Sequence, residues 1–153
     1  MSGHEMELSP LGSHLGYWIR YVSNHASHAF NLKLAARGVT VAEWVVVREL
    51  YDADGAPSAL ADRLGMTRGA ISKLADRLIA KGLIARRTNA SDRRFQTLAL
   101  TRQGRAMAPK LAALADENDE EFFAHLNRET RETIAAAMKE IVRRKGLRAA
   151  PVD

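Results

Sequence analysis

The chain contains no cysteine. Disulfides, thiolate metal sites and cysteine redox switches are therefore excluded, and the composition suits a reducing compartment. No apolar run approaches the length needed to cross a bilayer, so no membrane partner is expected. The first residues, MSGHEMELSPLGSH, are neither basic nor apolar, so no signal peptide is expected there and a cytoplasmic location is. No internal repeat or low-complexity linker interrupts the 153 residues. That length is about one domain's worth, enough to bury a core without staples. Catalytic constellations are missing too: no Ser/His/Asp nucleophile setting, no phosphate-cradling Gly loop and no metal-ligand set. His25 and His28 stand one helical turn apart, but with no carboxylate or thiolate nearby they make a weak metal site. Neither an enzyme nor a cofactor nor a metal is expected.

What the chain does have is concentrated positive charge. The formal net charge is +5. Between residues 60 and 102 there are ten Lys/Arg against three Asp/Glu, a local charge of +7. The remainder carries thirteen Lys/Arg against fifteen Asp/Glu, a charge of −2. A single basic segment in a slightly acidic protein suits a polyanion, because neutralising phosphates releases condensed counterions. A solvated basic face would leave the same signature, so charge alone does not decide.

In chain order, Ser9-Pro10 offers an N-cap and a first helical position for a helix carrying Leu11, Leu15, Trp18, Ile19, Val22, Ala26, Ala29 and Phe30 on one face. Gly38 is a stop. Thr40-Val-Ala-Glu43 is a capping box, opening a helix with Val41, Trp44, Val45, Val47 and Leu50 for a core. Asp52 to Gly55 breaks it. Pro57 or Ser58 begins a short third helix with Leu60, Ala61 and Leu64 inward, ended by Gly65. Met66 plugs the turn.

Thr67 then caps a fourth helix. Its apolar face holds Ile71, Leu74, Ala75, Leu78 and Ile79. Its polar face holds Thr67, Arg68, Gly69, Ser72, Lys73, Asp76 and Arg77. After Lys81-Gly82 the period changes: residues 83–88 and 95–100 read as strands about a polar connection, 89–94. Thr101 caps a fifth helix in which Pro109 marks a kink or boundary. The acidic run 116–121 reads as a solvated face. Asn127 opens a last helix with Ile134, Ala137, Met138, Ile141 and Val142, closed by basic residues that suit its dipole.

A helix apolar on one side and basic on the other, preceded by a tight turn, fits the major groove. Arg68 is suited to a guanine edge. Thr67, Ser72 and Lys73 suit phosphates or bases, and Gly69 lets the backbone approach closely. The hairpin, with Arg86 and Arg87 on one limb and Arg93 and Arg94 on the other, suits the neighbouring minor groove. Double-stranded DNA is the expected partner. A winged-helix protein-interaction module, or an architectural DNA binder without ligand control, is the alternative; sequence preference separates them.

The runs LADRLGMTRGAISKLADRLIAKGLIARR and SDRRFQTLALTRQGR resemble the MarR family of winged helix–turn–helix transcription regulators. The most specific piece is the wing pattern Asp92-Arg-Arg94-Phe-Gln-Thr-Leu98-Ala-Leu100-Thr101, and Lys81-Gly82-Leu83-Ile84 matches the helix-to-wing junction. The resemblance implies a mainly α fold of about six helices with a small β-hairpin wing, as a single domain. Residues 9–37 and 101–146 would be dimerisation helices and residues 40–100 the DNA-binding lobe. It further implies a homodimer on a pseudo-palindromic operator, with Arg94 as the minor-groove arginine and Asp92 as a wing brace, partnered by Arg77 or Arg94. Thr67, Arg68, Ser72, Lys73 and Arg77 occupy the matching recognition face. Family members are often repressors relieved by a small aromatic or phenolic anion held between the dimerisation helices and the DNA-binding lobe. His14, Trp18, Tyr21, Trp44 and Arg48 are the candidates to line such a site here; Trp18 and Trp44 read more readily as ordinary core residues.

Overall fold

In the computed structural model, residues 6–89 and 92–148 are described, with the backbone alone at 89 and 92–95. A single 3-10 turn (Leu11–Ser13) precedes α1 (Leu15–Ala35). There follow α2 (Val41–Asp52), α3 (Pro57–Leu64), α4 (Arg68–Ala80), β1 (Ile84–Asn89), β2 (Asp92–Leu100), α5 (Arg102–Phe123) and α6 (Arg128–Lys145). The two strands pair antiparallel, Ile84 opposite Leu100 and Arg86 opposite Leu98. This is a winged helix–turn–helix lobe, α2 to β2, joined to helices from both ends of the chain.

Local chemistry sets most of the boundaries. The side chains of Thr40, Thr67, Thr101 and Asn127 each accept a hydrogen bond from the backbone N–H three residues on, satisfying a donor the helix itself leaves open. Pro57 takes the first turn of α3, and Gly65 closes that helix at a φ of 65°, where a Cβ would be strained. The first helix departs from expectation. Ser9 and Pro10 do not open it; Pro10 precedes the 3-10 turn, and α1 starts only after His14, without a side-chain cap. The Ser13 hydroxyl donates to the Pro10 carbonyl, and the Trp18 indole N–H donates to the Gly12 carbonyl. These bonds hold a turn where a straight helix was expected. α5 runs unbroken through Pro109, so no boundary falls there.

Leu34, Val46, Val47, Leu50, Leu60, Ile71, Leu78, Ile84, Leu98 and Leu111 are fully buried and form one core. Each such side chain contributes about 1.5–3 kcal/mol of burial free energy. This core joins α2, α3, α4, both strands, and the facing sides of α1 and α5. It therefore holds α4 by its apolar face alone.

The α1–α5 seam is polar at one point. Asn118 is buried; its Nδ2 donates to the Ala26 carbonyl and its Oδ1 accepts from Lys33, which also pairs with Glu121 at 2.6 Å. The acidic run is thus only partly a solvated face: Asn118 and Glu121 grip α1.

By contrast, α6 buries none of its residues. Ile134, Met138, Ile141 and Val142 form an exposed stripe along it, the i, i+4, i+7, i+8 spacing of one helix face. Leu15, Trp18, Ile19 and Val22 make a second exposed stripe on α1. At the end of α6, Arg143 and Arg144 both bond Glu140 and hold its carboxyl below the usual carboxylate range.

Candidate nucleic-acid interface

The core determines which face of α4 meets solvent. Ile71, Leu74, Ala75 and Leu78 are buried, while Thr67, Arg68, Gly69, Ser72, Lys73, Asp76 and Arg77 are all exposed. The expected division of this helix is reproduced residue for residue, except that Ile79 is only partly buried. The Thr67 oxygen accepts the Ala70 N–H at 3.1 Å, which leaves its hydroxyl proton and one lone pair to offer a ligand. A Cβ built on Gly69 meets nothing within 4 Å; space does not require glycine there in the protein itself.

Arg77 is drawn toward the protein. Its Nε lies 4.0 Å from Oε1 of Glu43. Glu43 is only 1% exposed and accepts bonds from Lys81 at 2.7 and 2.9 Å. Lys81 also donates to the Gly38 carbonyl at 2.7 Å. The capping box is therefore half formed: Thr40 caps the Glu43 N–H, but the Glu43 carboxylate turns to the end of α4. A buried carboxylate needs a cation more than a backbone donor needs a second acceptor.

The wing reaches further than its sequence suggests. β1 runs to Asn89 and β2 begins at Asp92; Asn89 pairs with Asp92 and Thr88 with Gln96, so the register shifts between Thr88 and Asn89. At the base of the wing, Gly55 exchanges two backbone hydrogen bonds with Leu98, at 2.8 and 3.1 Å. Arg86 bonds Asp76 of α4 at 2.8 Å, and Arg87 lies 3.6 Å from Asp54. Asp92, Arg93 and Arg94 occupy β2, and their side chains lie outside the described residues.

Residues 37–94, from the end of α1 into the second wing strand, match the family model described as MarR family. The winged lobe is thus similar to the domain that this family model describes. Solved structures share the fold over most of the chain. A mutant of MarR from E. coli, solved in complex with operator DNA, is 25% identical with a TM-score of 0.74, over 84% of this chain and 93% of that one. A probable transcriptional regulator from Pseudomonas aeruginosa is 22% identical, with a TM-score of 0.75 over 86% of this chain and 99% of that one. Bordetella bronchiseptica BpsR, described with a mechanism for regulation of its DNA binding by 6-hydroxynicotinic acid, is 19% identical, with a TM-score of 0.74 over 88% and 97%. Over most of its length the chain shares the winged-helix fold of these structures.

Of the candidate ligand residues, Trp18 and Tyr21 lie side by side, their ring centroids 6.5 Å apart. Tyr17, Trp18, Tyr21 and His25 make a run of ring contacts along α1, with centroids 5.1 to 6.5 Å apart. Trp18 is 51% exposed, so it is not a core residue here. Trp44 packs against the core. Arg48 pairs with Asp52 at 3.0 Å, and His14 is exposed. Among the described residues, no hydrogen bond or ring contact joins Trp44 or Arg48 to the α1 aromatics. The contacts of Lys81, Asp76 and Asp54 went unread in the sequence. All three span long separations, which no local spacing signals.

Proposed function

We propose that the protein is a homodimeric, sequence-specific DNA-binding regulator that represses a neighbouring operon. The observation that carries this reading is the division of α4. One face is locked in the core, and Thr67, Arg68, Ser72 and Lys73 project from the other beside a basic wing. In this reading residues 40–100 meet the DNA: α4 enters the major groove and the wing carries Arg94 to the minor groove. Residues 9–37 and 101–146 supply the dimer interface. The exposed stripes on α1 and α6 support this, since large apolar patches on a monomer mark interaction surfaces. Two-fold symmetry then calls for a pseudo-palindromic operator. The operator DNA held by E. coli MarR supports the same partner class.

A small aromatic anion relieves repression in this reading, by favouring dimer geometries whose recognition helices no longer match the half-sites. The exposed α1 aromatics are its first candidates, and the 6-hydroxynicotinic acid of BpsR is the kind of molecule meant. Fluorescence anisotropy with DNA from upstream of the protein's own gene, at graded salt, tests the reading. Tight binding that weakens steeply with salt and exceeds binding to scrambled DNA is expected. No salt-sensitive binding to any fragment overturns it.

A further inference from the structure

Arg86 looks from the sequence like one more cation for phosphates. Its place in the wing also gives it a partner within the protein. It lies opposite Leu98 in the antiparallel pair, and cross-strand partners share a face of the sheet. Ile84, Leu98 and Leu100 are all buried on that face, so Arg86 leaves β1 on the side turned toward the body of the protein. Its guanidinium meets Asp76, an acid on the exposed face of α4, at 2.8 Å. The Asp76 side chain is 66% exposed, against 39% for Arg86. The acid belongs to the DNA-facing surface, and the arginine reaches out to it from beneath.

We infer that Arg86 and Asp76 are positioning residues for DNA binding: their ion pair sets the angle between wing and recognition helix. This inference rests on the DNA-binding reading above. A carboxylate on a surface that meets phosphates lowers affinity unless it does something else. Here it joins α4 to β1 by a charged contact, while the Gly55–Leu98 backbone bridge holds the other side of β2. The wing base is thereby held on both sides, and its tip is delivered to the minor groove at a preset distance from α4. Such preorganisation favours the DNA that presents both grooves correctly. An exposed pair of this kind contributes modestly, so its loss blunts discrimination and leaves folding intact.

The experiment compares wild type, Arg86→Gln, Asp76→Asn and the exchanged double variant Asp76→Arg with Arg86→Asp. Each is titrated by anisotropy against its selected operator, the same operator with altered A·T flanks, and random DNA, across a salt series. A phosphate contact would lower the salt slope by about 0.9 per arginine, so by about 1.8 for two protomers. The expected result is a salt slope for Arg86→Gln within about 0.3 of wild type. Discrimination against altered flanks should fall roughly two- to five-fold in both single variants and recover in the exchange. A slope reduced by the full phosphate increment with discrimination intact overturns the inference. So does discrimination unchanged in both single variants. If the wild type itself binds no DNA, the underlying reading fails, whatever the variants do.

Discussion

The Glu43 carboxylate lies 2.7 Å from the Lys81 ammonium, bridging the start of α2 and the end of α4. Glu43 is buried on the helix that carries the core, and Lys81 sits where the recognition helix hands over to the wing. The pair thus ties the placement of α4 to the helix packed beneath it. Among the described residues, removing the cation leaves the buried charge facing the more distant Arg77.

Lys81→Ala is therefore expected to cost about 1–3 kcal/mol, the penalty for a buried group left without its partner. Glu43→Gln, which keeps the backbone cap and removes the charge, should cost less. Urea unfolding of both variants measures this. Equal stability of Lys81→Ala and wild type would mean that water reaches Glu43.

Two glycines should respond oppositely to the same substitution. A Cβ on Gly104 would stand 2.0 Å from the Leu83 carbonyl oxygen, a backbone atom that cannot swing aside. Gly104→Ala should destabilise by about 1–3 kcal/mol, as overpacking does. Gly69→Ala meets open space on an exposed helix turn and should stabilise by about 0.5–1 kcal/mol. It should nevertheless weaken DNA binding, because the helix backbone can no longer approach the groove. Thermal melts and anisotropy on the same samples separate the two effects. Unchanged DNA affinity in Gly69→Ala would place that turn away from the DNA.

How far the sequence was legible follows from the range of each interaction. The caps of Thr40, Thr67, Thr101 and Asn127 were readable because donor and acceptor are three residues apart. The two faces of α4 were readable because burial follows the helical period. The Arg86–Asp76 pair was not readable because the two residues are ten apart across a change of secondary structure. Glu43 was assigned to its own helix end because the 38 residues to Lys81 leave no trace in local spacing. The start of α1 was misplaced because Ser-Pro suits a helix start, whereas the Trp18–Gly12 and Ser13–Pro10 bonds favour a separate turn.

The exposed stripe on α6 gives a direct test of assembly. Ile134→Glu or Ile141→Glu places a charge among Met138 and Val142, all of them accessible in the single chain. In a dimer interface that charge would be desolvated without a partner. Sedimentation should show monomer in place of dimer, with operator affinity lost alongside. A variant that remains dimeric would move the interface elsewhere.

Arg68 stands at the first position of α4, exposed and just past the Thr67 cap. Arg68→Ala should cost about 1–3 kcal/mol on the preferred operator if the guanidinium reads a base pair. It should also relax preference at one position of each half-site. A uniform loss across all sequences, with a smaller salt slope, would instead make Arg68 a phosphate contact.

The central claim is that two copies of this lobe read two half-sites at a fixed separation. Unbiased selection of bound fragments from a random DNA pool, using the purified wild-type protein, tests it most directly. The expected result is an inverted repeat whose half-sites lie about one helical turn, roughly 10–10.5 base pairs, apart, with an A·T preference where the wings fall. Enrichment of a single unrepeated element, or of no sequence at all, would contradict it.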